Sequence, residues 1–312
     1  MNDNTILGLH HITAIAGNAV TNHNFYTQTL GLRMVKKTVN FDDPGTYHFY
    51  FGNEQGTPGT ILTFFPWEGI PAGRPGAGMA TEISYAVPEG SLPFWAARFK
   101  EKNVKAGEQA ERMGEIILPF QDPDGLNLNL VVSKTGDNRQ GWTTPEVDAN
   151  AATKGFHAVT LTLNNVKPTA AILTDIFGYE LLEQEGNRYR YITKAVDAAA
   201  IVDLVEIPGE PRGLNAGGTN HHVAFRVKND NILMEFREKI LRKGLHITPK
   251  INRDYFFSLY FREPGGVLFE LATDNPGFTV DEPLNELGTH LKLPAQHEHL
   301  RAELERTLVK IQ

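Results

Sequence analysis

The chain has 312 residues, of which 41% are hydrophobic and 21% are charged, with a formal net charge of −7 at pH 7 and no cysteine. This composition indicates a soluble globular protein of about two domains, and the acidic balance argues against a large nucleic-acid-binding surface. The absence of cysteine excludes thiolate metal sites, disulfides and a cysteine nucleophile. No apolar run approaches the ~18 residues of a membrane helix, and no secretion leader is visible. We therefore expect a cytoplasmic enzyme or binding protein with no membrane partner.

Strand and helix patterns recur in one order from the first unit onward. The first unit starts near Leu9 with LHHITAIA, continues in the helical pattern HNFYTQTLGLRMV and ends in the aromatic runs TYHFYF and TILTFF. The second unit, from about Met79 to Val132, has TEISYAV, then the helical pattern PFWAARFKEKNV and then PDGLNLNLVV. Runs rich in β-branched and aromatic residues between Gly, Pro and Asp turns predict strands.

The same order returns twice in the second half of the chain. The third unit has FHAVTLTL, a helix around TAAILTDIFGYELL and AIVDLVEI; the fourth has NHHVAFRV, ILMEFREKILRKGL and SLYFREPGGVLFELATD. One such unit cannot bury both faces of its own sheet, so the units must pair. We predict an N-terminal pair of βαβββ units in residues 1–133, a polar linker in 134–153, a C-terminal pair in 154–276 and a tail with a charged helix in 277–312.

Superposing the four units yields a pool of candidate metal ligands. The first strands contribute His11, Glu82, His157 and His222; the last turns align Asn129 with Glu270; a looser match of TFFP with VEIP aligns Phe64 with Glu206. Glu270 lies in the apolar run GGVLFELAT, where a carboxylate is costly unless it is paired or bound to a metal. A second, vestigial cup between units two and three is suggested by four residues: Glu82, Asn129, His157 and Glu206. We expect polar contacts, and not a metal ion, to fill this concave site.

Two ligand sets remain open, because they depend on which units pair. Pairing of units one and four brings together His11, His222 and Glu270, whereas ligands from units three and four would replace His11 by His157. Two imidazoles and one carboxylate with open positions suit non-heme Fe(II), which must bind O2 and substrate together. Units one and four each start with adjacent histidines that point to opposite faces of a strand, and this matched pattern favours His11.

The repeat, together with FYTQTLGLRMV and PGGVLFELATD, resembles the vicinal oxygen chelate superfamily of glyoxalases, extradiol dioxygenases and fosfomycin-resistance proteins. This resemblance implies an α+β fold in which four βαβββ repeats form two cupped mixed sheets with flanking helices. The segments LHHIT, NHHVAF and YFREPGGVLFE are similar to those of hydroquinone-type ring-cleaving dioxygenases, including chlorohydroquinone dioxygenases and quinone-stress proteins. That likeness implies Fe(II), with Mn(II) suited to the same ligands, held by His11, His222 and Glu270. It also implies surrounding catalytic residues, namely His10, Thr13, His221, Arg253 and Tyr260.

The same resemblance implies an extradiol-type dioxygenase that inserts O2 into a hydroquinone-like aromatic substrate, in aromatic catabolism or quinone detoxification. Arg253 would stabilise developing negative charge, Tyr260 would hydrogen-bond the bound oxygen, and His10 or His221 would act as general base. Aromatic residues near the motifs offer a ring pocket, although we expect most of them to be core: Phe64, Phe65, Trp67, Phe256, Phe257 and Phe261. The remaining histidines, His48 among them, receive no role.

Three alternatives stay open from the sequence. A catechol-type extradiol enzyme would use His157 as a ligand. A glyoxalase-like isomerase or transferase would use a more carboxylate-rich, four-ligand set for Zn2+, Ni2+ or Mn2+. A non-catalytic quinone- or drug-binding protein on the same fold would lack the metal residues, so metal content separates it from the enzymes. Exposed sheet edges also leave a homo-oligomer open.

Overall fold

The computed structural model describes residues 5–311, which contain four units of one architecture. Unit one holds β1 (Leu9–Ala16), α1 (Ala19–Asn24), β2 (Arg33–Val39), β3 (Tyr47–Gly52) and β4 (Ile61–Pro66); unit two holds β5 (Met79–Ala86), α2 (Leu92–Glu101), β6 (Ala110–Arg112), β7 (Glu115–Gln121) and β8 (Asn127–Val132). Unit three holds β9 (Gly155–Leu163), α3 (Lys167–Asp175), β10 (Glu180–Glu185), β11 (Arg188–Ile192) and β12 (Ile201–Glu206); unit four holds β13 (Thr219–Val227), α4 (Asp230–Arg242), β14 (Ile251–Asn252), β15 (Phe256–Arg262) and β16 (Leu268–Pro276). Helix α5 (Arg301–Thr307) lies in the tail. Across these residues no helix has both the length and the apolar character needed to span a bilayer.

The first helix begins earlier than the sequence pattern predicted. Asn18 caps it, since the Asn18 side chain accepts a hydrogen bond from the Thr21 N–H at 2.8 Å, and Asn is a favoured N-cap residue. The helix continues as a π-helical turn over Phe25–Thr29 and ends before Gly31, which has a positive φ of 69°. Glycine adopts this left-handed conformation without a steric penalty, so the chain can turn there directly into β2.

Two curled, mixed, eight-stranded sheets carry the fold, and we call their concave sides the first and second cup. The first sheet has the order β14-β15-β16-β13-β1-β4-β3-β2, and the second has the order β10-β11-β12-β9-β5-β8-β7-β6. The α+β fold of two cupped sheets is therefore confirmed. Units one and four share the first sheet through β1 and β13, which run antiparallel. Each sheet thus combines units from both sides of residues 134–153, and the division of the chain into two halves stays a prediction.

Each central strand has one residue that bulges out of the pairing. In the first sheet, the register steps from Leu9↔Phe225 to His11↔Ala224, which leaves His10 unpaired. The same step leaves one residue out of register in each of the other three central strands: Thr81, His157 and His221. A bulge inserts one residue and redirects the side chains around it.

This bulge corrects the alignment made from the sequence. His157 is the counterpart of His10 and His221, and it is Ala158 that corresponds to His11 and His222. The sequence alignment was therefore one residue out of step in unit three. An apolar residue follows the pair in every unit and marks the correct match: Ile12, Ile83, Val159 and Val223.

The pairing between the first and last strands of each unit also corrects which residues are equivalent to Glu270. Ala224, two residues after His222, pairs with Glu270, and Thr13, two residues after His11, pairs with Thr63. The counterpart of Glu270 is thus the residue that pairs with the strand position two residues after the ligand on the first strand. In the second sheet, this position is occupied by Asn129 in unit two and by Asp203 in unit three. Phe64 and Glu206 are therefore not at the ligand position: Phe64 is core, and a Glu206 oxygen accepts the Val166 N–H at the start of α3.

The tail after β16 lies along the outer edge of the first sheet. Leu291 forms a parallel bridge to Lys37 of β2. The side chains of Gln296 and His297 both donate to the Phe41 carbonyl oxygen, at 2.9 and 2.8 Å. The tail therefore holds the loop between β2 and β3, which lies beside the first cup.

Candidate metal centre

Three side chains that the sequence proposed as ligands meet in the first cup. His11 lies on β1, His222 on β13 and Glu270 on β16, and all three are buried. The Nε2 atoms of His11 and His222 are 3.4 Å apart. Glu270 Oε2 lies 3.2 Å from His11 Nε2 and 2.9 Å from His222 Nε2. One ligand atom from each residue therefore lies within 4.8 Å of the other two.

The state of Glu270 shows that this group fits a cation. Its Oε1 accepts a short hydrogen bond from Ser258 Oγ, but its buried Oε2 has no partner with hydrogen-bond geometry. Burial alone would raise the pKa of the Glu270 carboxyl, whereas a positive charge at the adjacent His11 and His222 positions holds that pKa well below its usual value, so the carboxyl is ionised whenever a cation lies beside it. An unpaired buried carboxylate oxygen is costly, and a cation between the three ligand atoms removes this cost. Two imidazoles and one carboxylate suit Fe(II) or Mn(II) and leave coordination positions open.

His10 fixes the protonation state of His11. Nδ1 of His10 lies 2.9 Å from Nδ1 of His11, and Nε2 of His10 lies 3.1 Å from the Thr273 carbonyl oxygen. Burial lowers the pKa of His10 well below its usual value, so the ring is neutral. A carbonyl only accepts, so His10 carries its proton on Nε2 and accepts at Nδ1. His11 must then donate from Nδ1, which leaves its Nε2 lone pair directed into the cup.

His221 makes the equivalent contact to His222 but has a free end. The two Nδ1 atoms are 2.8 Å apart, and burial lowers the pKa of His221 to about 3, so this ring is also neutral. Among residues 5–311 we find no acceptor for Nε2 of His221, and the ring lines the cavity beside the ligands. Where His222 binds a cation through Nε2, its Nδ1 carries the proton and donates to Nδ1 of His221. His221 then carries its own proton on Nε2 and offers it to a bound molecule, whereas both nitrogens of His10 are used. The geometry gives His10 no lone pair for the general-base role expected of it.

The cavity over the three ligands has a volume of about 400 Å³, which is within the range of small-molecule sites. Phe65, Trp67 and Phe256 line it, as does Phe41, which the sequence analysis did not single out. Phe64 and Phe261 belong to the core, and Phe257 packs under the Lys250 ammonium group. The aromatic wall is therefore real but smaller than the set suggested by the sequence.

Arg253 and Tyr260 form one side of the cavity. The guanidinium carbon of Arg253 lies 5.3 Å from the ring centroids of both Tyr260 and Phe41, within range of cation–π attraction. The Tyr260 ring contacts the His222 ring edge-on, with centroids 5.6 Å apart. Burial raises the pKa of Tyr260, so its phenol stays protonated. The structure thus brings Arg253 and Tyr260 to the ligands, as it does Thr13.

A chain of hydrogen bonds beside the ligands was missed by the sequence analysis. Nε2 of His48 lies 3.0 Å from Thr63 Oγ1, and Thr63 Oγ1 lies 2.8 Å from Thr13 Oγ1. The Tyr50 hydroxyl lies 3.0 Å from Nδ1 of His48. Alternation in the run TYHFYF does place His48 and Tyr50 on one face, but their contact with Thr63 depends on the register between β3 and β4.

The second cup is filled by ion pairs. Arg188 lies between the counterparts of the first-cup ligands: its Nη1 is 3.1 Å from Asp203 Oδ2, and its Nη2 is 3.4 Å from Glu82 Oε1. Nε2 of His157 is 2.8 Å from Glu115 Oε2, which also accepts a hydrogen bond from Arg190. Polar contacts therefore occupy this cup, as expected, and His157 lies in a different sheet from His222 and Glu270.

Comparison with known sequences agrees with this geometry. The model of the Glyoxalase/Bleomycin resistance protein/Dioxygenase superfamily matches residues 8–130 and 155–271. MhqO of Bacillus subtilis (strain 168), provisionally described as a ring-cleaving dioxygenase, is 45% identical over 303 residues, covering 97% of this chain and 96% of its own. Chlorohydroquinone/hydroquinone 1,2-dioxygenase of Sphingobium indicum is 36% identical over 309 residues, covering 96% of this chain and 95% of its own.

Solved structures of other proteins also share this fold. A crystal structure of a provisionally assigned dioxygenase from Bacillus subtilis superposes with a TM-score of 0.95 at 43% identity, covering 99% of this chain and 98% of its own. Glyoxalase I of Zea mays superposes with a TM-score of 0.65 at 16% identity, covering 91% of this chain and 97% of its own, and supports the fold alone. As the resemblance to vicinal oxygen chelate proteins predicted, the chain belongs to the glyoxalase/bleomycin resistance protein/dioxygenase superfamily.

Proposed function

We propose that this chain is a ring-cleaving dioxygenase that uses Fe(II), held by His11, His222 and Glu270, to open a hydroquinone-type ring with O2. One observation carries the proposal: two imidazole Nε2 atoms and an unpaired carboxylate oxygen converge at a cavity with aromatic walls. The names of the relatives in Bacillus subtilis and Sphingobium indicum support the same reaction class. When bound, Fe(II) supplies the redox chemistry that allows O2 to react with an electron-rich ring.

The residues of the chain bind and orient the substrate. The hydroxyls of a hydroquinone are para to each other, so they cannot both bind one metal ion, and protein contacts must fix the ring. Phe256 and Phe65 line the cavity with apolar surface, and His221 offers its Nε2–H to a substrate oxygen. Arg253 places a positive charge beside the cavity, where it stabilises negative charge that develops on the opening ring.

Para hydroxyls also decide which bond is cleaved. Since no two adjacent carbons carry hydroxyls, the broken bond joins a hydroxylated carbon to a neighbour without a hydroxyl. In this sense the proposed cleavage is of the extradiol type. The neutral phenol of Tyr260 and the cation of Arg253 lie on the same side of the cavity, where they can hold an oxygen atom of the substrate or of O2.

The three alternatives from the sequence receive less support. A catechol-type site with His157 needs a ligand that lies in the other sheet and is paired with Glu115. A four-ligand glyoxalase-type set needs another strong donor, but Thr63 occupies the fourth position. A non-catalytic binding protein has no need of the buried, unpaired oxygen of Glu270.

Oxygen uptake tests the proposal directly. The protein is stripped of metal, reloaded with Fe(II) under argon and mixed with hydroquinone or catechol in an oxygen-electrode cell, with iron-only and protein-only controls. We expect one O2 per hydroquinone, loss of aromatic absorbance and slower uptake with catechol. His11→Ala should abolish uptake, whereas the matched variant His157→Ala should keep it. Bound iron without uptake on either substrate would refute the dioxygenase proposal, and uptake that depends on His157 would move the site.

A further inference from the structure

We propose that a small polar cavity beside His221 binds a carboxylate group of the molecule held at the metal centre. This cavity, which we call the side cavity, has a volume of about 130 Å³. It shares His221, His222 and Leu268 with the larger cavity over the ligands, so the two cavities adjoin at these residues. The inference rests on the proposed function for the molecule in the larger cavity, and it adds a second point of recognition for that molecule.

Two guanidinium groups line the side cavity. Arg212 and Arg262 are both exposed, and neither forms an ion pair within residues 5–311. In this part of the chain the lining of the side cavity contains no aspartate and no glutamate. A guanidinium can form two parallel hydrogen bonds with one carboxylate. The side cavity therefore fits an anion of this planar geometry and does not fit a cation.

The backbone holds both arginines in place. Arg212 lies in the linker between β12 and β13 and forms a parallel bridge with Ala77 of the linker between β4 and β5. Arg262 is the last residue of β15, and its Nη1 donates to the Gly266 carbonyl oxygen at 2.6 Å. This bond uses one of the five N–H groups of the guanidinium, so four remain for a ligand.

A buried amide oxygen in the wall of the side cavity lacks a hydrogen-bond donor. Asn220 lines the cavity and is 3% exposed. Its Nδ2 donates to the Ala80 carbonyl oxygen at 3.0 Å, but its Oδ1 has no partner. An unpaired buried acceptor is costly, and a water molecule or a ligand hydroxyl removes this cost. Since each water takes about 30 Å³, the cavity has room for a carboxylate together with part of its hydration shell.

The exposed side of the larger cavity has the opposite charge balance. Asp42 and Asp43 line that cavity beside Arg253, and the Asp42 side chain is 89% exposed. Two carboxylates and one guanidinium repel an approaching anion, whereas the two arginines of the side cavity attract it. A neutral hydroquinone experiences neither effect. The charge pattern therefore directs a carboxylate towards the side cavity.

A carboxylate can come from two sources. One is a substituent on the intact aromatic ring. The other is the ring-opened product, because insertion of both atoms of O2 between a hydroxylated carbon and its neighbour converts the first into a carboxylic acid and the second into an aldehyde. All atoms of hydroquinone and O2 are retained, so no further reactant is needed. The new acid ionises at neutral pH, and ring opening thus adds a negative charge to the bound molecule.

Pairs of an acid and its methyl ester test the proposal, because the members differ in charge. 2,5-Dihydroxyphenylacetate and its methyl ester represent a substituted ring, and trans,trans-muconate and its dimethyl ester represent an opened chain. Calorimetry on the Fe(II)-loaded protein under argon, with iron content checked, measures the dissociation constants without turnover. The readout is the ratio of the affinity for the acid to that for the ester. We expect a ratio of about ten in at least one pair.

Three variants locate the group that causes this preference. The double variant Arg212→Gln with Arg262→Gln should lower the ratio about tenfold, to near one. Asn215→Asp keeps an oxygen for the hydrogen bond from Thr219 Oγ1 but adds a negative charge to the lining, so it should lower the ratio as well. Arg242→Gln is the matched control, because it removes an exposed charge at the end of α4 that lines neither cavity, and it should leave the ratio unchanged.

Two outcomes overturn the inference. A ratio near one for both pairs in the wild-type protein means that no carboxylate site exists. A raised ratio that persists in the double variant means that the carboxylate binds elsewhere, such as at the metal ion. A preference for muconate alone supports a site for the opened product, and a preference for the aromatic acid alone supports a site for a ring substituent. If the preference depends on the two arginines but hydroquinone is not cleaved, the proposed function fails while the carboxylate site stands.

Discussion

Replacing Asp122 by Asn should make the protein more stable in mildly basic solution. Asp122 lies in the turn between β7 and β8, where its Oδ1 accepts the N–H groups of Asp124 and Leu126, both at 2.9 Å. Its Oδ2 accepts a hydrogen bond from the Tyr26 hydroxyl at 3.0 Å, which joins unit two to unit one. Asn keeps an oxygen for the two backbone donors but carries no charge.

The size of the effect follows from the pKa. Burial raises the pKa of Asp122 from 3.8 to about 7, although its hydrogen bonds oppose this shift. Between these two values the unfolded chain binds fewer protons than the folded protein, so stability falls as the pH rises. At 1.36 kcal/mol for each unit of pKa, wild-type stability should fall relative to Asp122→Asn by about 3 kcal/mol between pH 5 and pH 8.

Urea unfolding at the two pH values measures this difference. The control is Asp148→Asn, which changes an exposed aspartate that caps a turn in a similar way, by accepting the Asn150 N–H at 2.9 Å. The difference in the free energy of unfolding between Asp148→Asn and wild type should be the same at pH 5 and at pH 8. If the difference between Asp122→Asn and wild type is also the same at both pH values, Asp122 is ionised in the folded protein at pH 5 and the reasoning from burial is wrong.

Three further variants test the two cups. Glu270→Gln keeps the size of the side chain but removes the charge, so bound iron, measured by elemental analysis, should fall at least about tenfold and O2 uptake with it; full iron content would remove Glu270 from the ligand set. His157→Gln should retain iron and uptake while lowering stability by about 1–3 kcal/mol in urea unfolding, and loss of iron would argue for a His157 site. Arg188→Met should lower the free energy of unfolding by about 3–5 kcal/mol, because it leaves Glu82 and Asp203 with one fewer cation. An unfolding midpoint in urea equal to that of wild type would show that Arg188 does not neutralise these two carboxylates.

Local sequence patterns revealed the repeat, and the family resemblance that the repeat carries implied the fold and the three proposed ligands. The repeat order was visible from the alternation of strand and helix patterns, and the fold implied by the resemblance is confirmed. Glu270 could be singled out because a carboxylate in an apolar strand needs a partner. The matched histidine pairs favoured His11, and the structure brings His11 to His222 and Glu270.

The remaining features depend on register, which local patterns do not encode. A bulge adds one residue without changing the composition of a strand, so His157 was matched to His11 instead of to His10. Likewise, Thr63 rather than Phe64 occupies the ligand position because β1 and β4 pair in one particular register. The contacts that run from Tyr50 through His48 and Thr63 to Thr13 likewise depend on the register between β3 and β4.

The guanidinium in the second cup has a consequence for how the protein depends on its surroundings. Arg188 is part of the chain, so the charge that neutralises Glu82 and Asp203 is present whenever the protein is folded. Among residues 5–311, no arginine or lysine forms an ion pair with Glu270, so the cation of the proposed site would come from solution. If the metal binds there as proposed, the free metal concentration enters the stability of the first sheet by mass action, while the ion pairs of the second sheet form at any metal concentration. Under that proposal, a limited supply of metal would affect one half of a duplicated architecture and not the other.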